Sequence, residues 1–249
     1  MTDFVLKEKL ASKGEHYYDR HGRAAYGSNI TGARKNGLLP SPTTILGSVS
    51  NWTLQEWMKR NAATAAIEMV LKACDENALG EYIARIKDDD LRVECLDEII
   101  KRADGVGKQA AAFGQDVHSG AEGILLKQDW DVGNPTLQKL SGYLEERVDK
   151  VFWCEENLVH PSFLYAGRAD ALVNHVDYGI VLMDFKTQKC RTRNGKFTAS
   201  FYPNYVRQLA AYADCLKPKP RIMSVVINSV EPMEPFEKLY SAEEQEQGL

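Results

Sequence analysis

Asp184 and Lys186 close the apolar run Gly179-Ile-Val-Leu-Met-Asp-Phe-Lys186. Side chains two apart in an extended chain point the same way, so a strand here delivers the carboxylate and the ammonium together. Charges at the end of an apolar strand cost burial energy unless a metal, a phosphate or water compensates them. An ordinary surface ion pair, contributing about 0–1 kcal/mol, is the bland alternative. Upstream, Leu164–Val173 forms a second apolar run with Asp170 near its middle, and the polar turn Asn174–Tyr178 separates the two. That connection suits an antiparallel hairpin, which places Asp170 beside Asp184. Downstream, the Ala-rich stretch Tyr205–Ala213 predicts a helix beginning just after Pro203, with Gln208 and Tyr212 four apart on one face. Gln-x-x-x-Tyr alone suits a partly buried helix surface. In this order, the three elements gather two acids, a lysine, an amide and a phenol.

The remaining elements must hold that group in place. The turn signals around Gly22 predict a small β-hairpin over Tyr17–Tyr26. Pro40-Ser41-Pro42 stiffens the next segment, where Ser41, Thr43 and Thr44 either cap a helix or bind phosphate. From Ser48 to Lys150 apolar spacing predicts helices over Trp52–Lys72, Leu91–Ala103, Gly105–Leu126 and Leu137–Val148. In the third of these, Gly114, His118 and Glu122 form one stripe at i, i+4 and i+8. Trp52 and Trp57 suit helix packing or base stacking. Strands follow near Leu158-Val159, at 164–173, 179–186 and Arg221–Ser229, with a short edge strand over Glu237–Tyr240. The reading is α/β: a central mixed sheet of about four or five strands flanked by helices, its strand-helix-strand step a right-handed crossover. The segments are 1–47, a helical region 48–150, a sheet core 151–240 and an acidic tail 241–249, all in one structural domain.

The 249 residues, 44% hydrophobic and 27% charged, suit a globular protein. No window approaches the ~20 apolar residues of a membrane span, and the N-terminal Lys7, Glu8 and Lys9 replace an apolar signal core. A cytoplasmic protein without membrane partners is expected. Five scattered cysteines, an odd number without a C-x-x-C pair, argue for free thiols. The formal net charge of −4 disfavours a uniformly basic surface, yet Lys186, Lys189, Arg191, Arg193 and Lys196 form a basic run leaving the proposed active strand. Such a run faces water, or phosphate if nucleic acid binds.

Gly167-x-x-Asp170, Asp184-Phe-Lys186-Thr187 and Gln208-x-x-x-Tyr212 together resemble the core signature of the PD-(D/E)XK nuclease superfamily, in its RecB-like exonuclease branch. Within that branch, Gly37–Leu46 and Gly114-Gln-Asp-Val-His118 resemble the mitochondrial genome maintenance exonucleases and their phage and bacterial relatives. The resemblance implies a restriction-endonuclease-like core, extra helices forming an arch that admits a single strand, and a bacterial or phage-encoded protein. It implies a metal-dependent exonuclease that hydrolyses phosphodiester bonds, from ends of single-stranded DNA. A non-cleaving nucleic-acid-binding protein on the same fold and a sequence-specific restriction endonuclease are the alternatives. His118, Asp170, Asp184 and the Phe185 carbonyl would hold one or two ions of Mg2+ or Mn2+. Lys186 would place the attacking water, with Gln208 and Tyr212 orienting it or the phosphate. Ser41, Thr43, Thr44, Lys189, Arg191, Arg193 and Arg207 would contact the DNA backbone. Glu156 is an auxiliary acid, and Glu122 either steadies the metal site or is a surface acid. Iron-sulfur relatives cluster three cysteines beyond the Gln-x-x-x-Tyr helix, whereas only Cys215 lies there, so no cluster is expected.

Overall fold

The computed structural model describes residues 16–25, 27, 29–48 and 52–248, with only the backbone of Ser48, Trp52, Thr53 and Leu54. The stretch read for an export signal, Tyr26 of the predicted hairpin and the Trp52 ring lie outside it. In chain order the elements are β1 Tyr17–Tyr18, α1 Ile30–Lys35, β2 Leu39–Pro40, α2 Pro42–Ser48, α3 Trp52–Asp75, α4 Leu79–Lys87, α5 Asp89–Leu125, α6 Pro135–Arg147, β3 Val148–Val159, β4 Ala166–His175, β5 Gly179–Gln188, β6 Arg191–Arg193, β7 Lys196–Thr198, α7 Pro203–Asp214, β8 Arg221–Asn228, β9 Phe236–Leu239 and α8 Ala242–Gln247. Two compact units emerge, Val49–Asp116 and Met1–Ser48 with Val117–Leu249. No helix among the described residues is long and apolar enough to cross a membrane.

In the larger unit, a five-stranded mixed sheet runs in the order β3-β4-β5-β8-β9. β3, β4 and β5 are antiparallel neighbours, β5 and β8 are parallel, and β9 closes the far edge antiparallel to β8. The parallel pair explains the unbroken apolar runs. Val181–Phe185 and Ile222–Asn228 are buried throughout, as befits central strands covered on both faces. Ile222 packs with Leu209, Ala210 and Ala213 of α7, whereas its neighbour Met223 meets the Tyr143 hydroxyl of α6 at 3.9 Å. Adjacent strand residues point to opposite faces, so α7 and α6 cover opposite sides.

Local chemistry sets the ends of these helices. Pro203 opens α7 behind an extended Tyr202, where a missing N–H is harmless. Pro135 does the same for α6, and the Asn134 side chain caps it by accepting from the Thr136 and Leu137 amides. The acidic C-terminal stretch folds into α8, opened by a reciprocal Ser241–Glu244 capping box.

The N-terminal segment bends back at Asp19–Gly22, making a single bridge between Tyr18 and Ala24, while β1 pairs with β2. Ser41 then caps α2: its hydroxyl accepts from the Thr44 amide at 3.0 Å and meets the Thr43 and Thr44 hydroxyls at 2.8 and 2.9 Å. This turn lies against β4. A Cβ on Gly167 would come within 2.9 Å of Tyr212 Cε1 and 3.1 Å of Pro42 Cδ, so glycine lets β4, α7 and α2 close on one another. Gly167→Ala is expected to destabilise the fold by about 1–3 kcal/mol, read as a lower denaturant midpoint at unchanged slope. An unchanged midpoint would mean that this packing is loose.

The smaller unit is helical. Met69 and Ala73 of α3 pack with Tyr82 of α4 and Cys95 of α5, and Trp57 lies along Gly107. The predicted helices Leu91–Ala103 and Gly105–Leu126 are one 37-residue helix, α5. It starts where the Asp88 carboxylate accepts from the Asp90 and Leu91 amides. Each glycine at 105 and 107 costs about 1 kcal/mol relative to alanine, too little to break a long helix.

Candidate active site

The β4–β5 ladder ends at the pair Ala171↔Met183, while β5 stays paired with β8 as far as Gln188↔Asn228. The two strands therefore part where Asp170 and Asp184 follow. Opening a ladder frees backbone donors, and a freed donor needs a partner. Asp170 supplies one: its Oδ2 accepts the Phe185 N–H at 2.7 Å.

Asp184 is 2% exposed and faces Lys186, as the alternation predicted. Lys186 Nζ donates to Asp184 Oδ1 at 2.7 Å and lies 2.6 Å from Oδ2. The buried Oδ2 thus shares the ion pair without a hydrogen bond of its own. Gln208 Nε2 of α7 reaches Oδ1 at 3.3 Å. Burial pushes the Asp184 carboxyl up to about 6, against the pull of Lys186. The Tyr205 ring, one turn before Gln208, lies 5.6 Å from Lys186 Nζ, within cation–π range. Tyr212, a turn beyond Gln208, is buried under Gly167, and burial raises its phenol well above 10.

His118 of α5 completes the group from another direction. Its Nδ1 is 3.4 Å from Asp170 Oδ2 and 3.9 Å from Glu155 Oε1. Its ring meets the edge of Phe185 with centroids 6.4 Å apart. The negative charge of Asp170 raises the imidazole to about 10 despite partial burial. Burial pushes Asp170 upward, but the His118 and Lys186 cations outweigh it and the carboxyl ends below its usual range.

A histidine raised from 6.5 to about 10 stabilises the metal-free fold fully below pH 6.5 and loses that contribution as pH rises through about 10. Since a third of the ring is exposed, solvent screening reduces the effect. His118→Gln is expected to remove about 1–3 kcal/mol at neutral pH and little above pH ~10.5, measured by unfolding in chelator. A loss of equal size at every pH would contradict the ion-pair account.

One nitrogen of His118 and one oxygen each from Glu155 and Asp170 lie within 4.8 Å of one another. An imidazole with hard carboxylate oxygens suits Mg2+ or Mn2+. These residues therefore fit a divalent cation, which has to displace the imidazole proton to reach the nitrogen. Asp184 stands outside this trio, tied to Lys186 and Gln208.

Glu155 is the residue that sequence reasoning missed. The flanking pairs Cys154↔Ala171 and Glu156↔Ala169 set it opposite Asp170, while Glu156 is exposed. The Val159↔Ala166 pair closing the hairpin would have revealed this register, because counting back from it brings 155 across from 170. Arg168 also went unnoticed; its Nε binds Glu155 Oε2 at 2.7 Å. Glu122, one turn beyond His118, is half-buried. It bears on the Cys154 thiol, which burial, followed by the Glu122, Glu155 and Asp170 charges, pushes up to about 12.

The basic run becomes a hairpin. β6 and β7 pair across Asn194-Gly195, both at positive φ, with Arg191, Arg193 and Lys196 exposed. Lys189 and Arg207 are exposed as well. The hydroxyls of Ser41, Thr43 and Thr44 are engaged with one another in their own turn, which also holds the His16 backbone, and of the three residues Thr43 is the exposed one.

Compared with known protein families and with curated proteins, the chain matches none.

Proposed function

We propose that this protein is a divalent-metal-dependent nuclease of the PD-(D/E)XK type, hydrolysing DNA phosphodiester bonds from the ends of single strands. The observation that supports this reading is the meeting of Asp170, Asp184, Lys186, Gln208 and His118 where β4 and β5 part. Phosphodiester hydrolysis gathers negative charge on the phosphoryl oxygens and the leaving oxygen, and catalysis consists largely of meeting that charge with fixed positive groups. A divalent cation held by His118 and the acids would add positive charge and acidify a water. Lys186 sits beside the acids to position that water or offset the developing charge. Gln208 keeps Asp184 and Lys186 in register from α7. Tyr212 acts through packing, fixing α7 against β4. The preference for single strands, with the arch of extra helices that would enforce it, is carried by the resemblance of the sequence alone.

Arg191 and Arg193 on the β6–β7 hairpin, with Lys189 before it and Arg207 on α7, are proposed to track the DNA backbone. Thr43 is the exposed hydroxyl offered to a phosphate. Each phosphate contact on a single strand contributes about −0.7 to the slope of log affinity against log salt. Replacing Lys189, Arg191 and Arg193 by alanine together should therefore flatten the slope by about 2, measured by fluorescence anisotropy with labelled single strands. An unchanged slope would remove the hairpin from the interface.

The dependence on ends is tested with matched linear and circular single strands. The linear strand should disappear with Mg2+ or Mn2+ while the circle persists; loss of both at equal rates would make the protein an endonuclease.

A further inference from the structure

Glu155 stands in the middle of β3 with φ +51, the left-handed region that a residue with a side chain enters at a cost of order 1–3 kcal/mol. Its side chain is 13% exposed, and the carboxylate is met from one side by a cation. Arg168 Nε holds Oε2 at 2.7 Å, and Oε1 is left facing His118 Nδ1 at 3.9 Å. Across the ladder Asp170 differs, because the Oδ2 that takes the Phe185 N–H is also the oxygen 3.4 Å from His118 Nδ1. In Glu155, therefore, one oxygen is ion-paired with Arg168 and the other is turned toward His118.

We propose that Arg168 is a specificity-determining positioning residue: by occupying Oε2 it limits Glu155 to a single ligand oxygen, so the His118–Glu155–Asp170 cluster selects a six-coordinate cation, Mg2+ or Mn2+, over Ca2+. The inference rests on the reading that this cluster holds a divalent cation. Ca2+ takes six to eight oxygens at about 2.3–2.6 Å and favours carboxylates that offer both oxygens, whereas Mg2+ demands a near-ideal octahedron of single contacts. An imidazole nitrogen shifts the balance further toward Mn2+. Arg168 keeps 43% of its side chain exposed, so its removal takes little from the core. Its positive charge opposes every divalent cation alike, and only the blocked oxygen distinguishes one cation from another.

The experiment measures Mn2+ binding by electron paramagnetic resonance and Ca2+ by competition, on the full chain and on Arg168→Ala, Arg168→Lys, Glu155→Gln and Asp170→Asn, each checked by thermal unfolding. Glu155→Gln should weaken Mn2+ binding about 10–100-fold. Arg168→Ala should narrow the preference for Mn2+ over Ca2+ by about ten-fold or more. Arg168→Lys, which can still pair with Oε2, should keep most of that preference. If Arg168→Ala shifts both affinities by the same factor, the arginine acts through charge alone and the inference fails. If Glu155→Gln binds Mn2+ like the wild type while Asp170→Asn does not, the inference fails and the cation reading stands. A wild-type chain that binds no Mn2+ overturns the cation reading itself.

Discussion

Asp170→Asn is expected to abolish divalent-cation binding and to slow hydrolysis of single-stranded DNA by at least about 10²–10³-fold, with little loss of fold. The separation follows from what each Asp170 atom does. An amide oxygen can still accept the Phe185 N–H that Oδ2 now takes at 2.7 Å, so the parting of β4 and β5 stays capped. The charge, however, is lost. That charge is the main reason the His118 imidazole rises to about 10, and without it the histidine should return toward its ordinary range. Mn2+ titration, DNA degradation and an NMR titration of the imidazole read the three consequences. A variant that still binds Mn2+ and cleaves would show that the site lies elsewhere.

Lys186→Ala should remove activity to a similar degree and leave a second, pH-dependent signature. Asp184 is 2% exposed, and among the described residues Lys186 is the cation ion-paired with it. Removing one partner of a buried pair leaves an uncompensated charge, a loss of about 3 kcal/mol. The sign with pH follows from the acid. Burial already holds the Asp184 carboxyl at about 6 with Lys186 present, above the 3.8 of an ordinary aspartate. Loss of the ammonium must raise it further. An acid whose folded value is raised weakens the fold progressively as pH climbs from 3.8 through that value. The variant should therefore approach wild-type stability near pH 4 and fall furthest behind above neutrality. A stability difference independent of pH would contradict the pairing.

The elements that carry chemistry were legible where a local rule fixed them. Pro203 announced α7, and period-two alternation put Asp184 and Lys186 on one side of β5. The short polar turn before Gly179 predicted an antiparallel β4–β5 pair. A mixed sheet of about four or five strands with a short edge strand followed from the same patterns, and the sheet has five. What depended on register was hidden. Glu155 and Glu156 are adjacent acids pointing to opposite sides, and only the pairing of β3 with β4 decides which one meets Asp170. The positive φ at Glu155 has no signal in a residue type that rarely adopts it. Arg168 sits inside the Gly-x-x-Asp stretch, yet its role depends on a partner thirteen residues upstream in the chain. α5 was read as two helices meeting between Ala103 and Gly105, whereas it runs unbroken because the helix propensity of a glycine is too weak a penalty to end it.

The central claim is that the Asp170–Asp184–Lys186 site hydrolyses DNA, and degradation of an end-labelled linear single strand tests it most directly. Wild type, Asp184→Asn and Lys186→Ala, each confirmed as folded, are compared with Mg2+, with Mn2+ and with chelator. The account predicts shortening by the wild type with either metal, none in chelator, and none by either variant, with the position of the label giving the polarity. A wild-type protein that binds the strand but leaves it full length with both metals would contradict it.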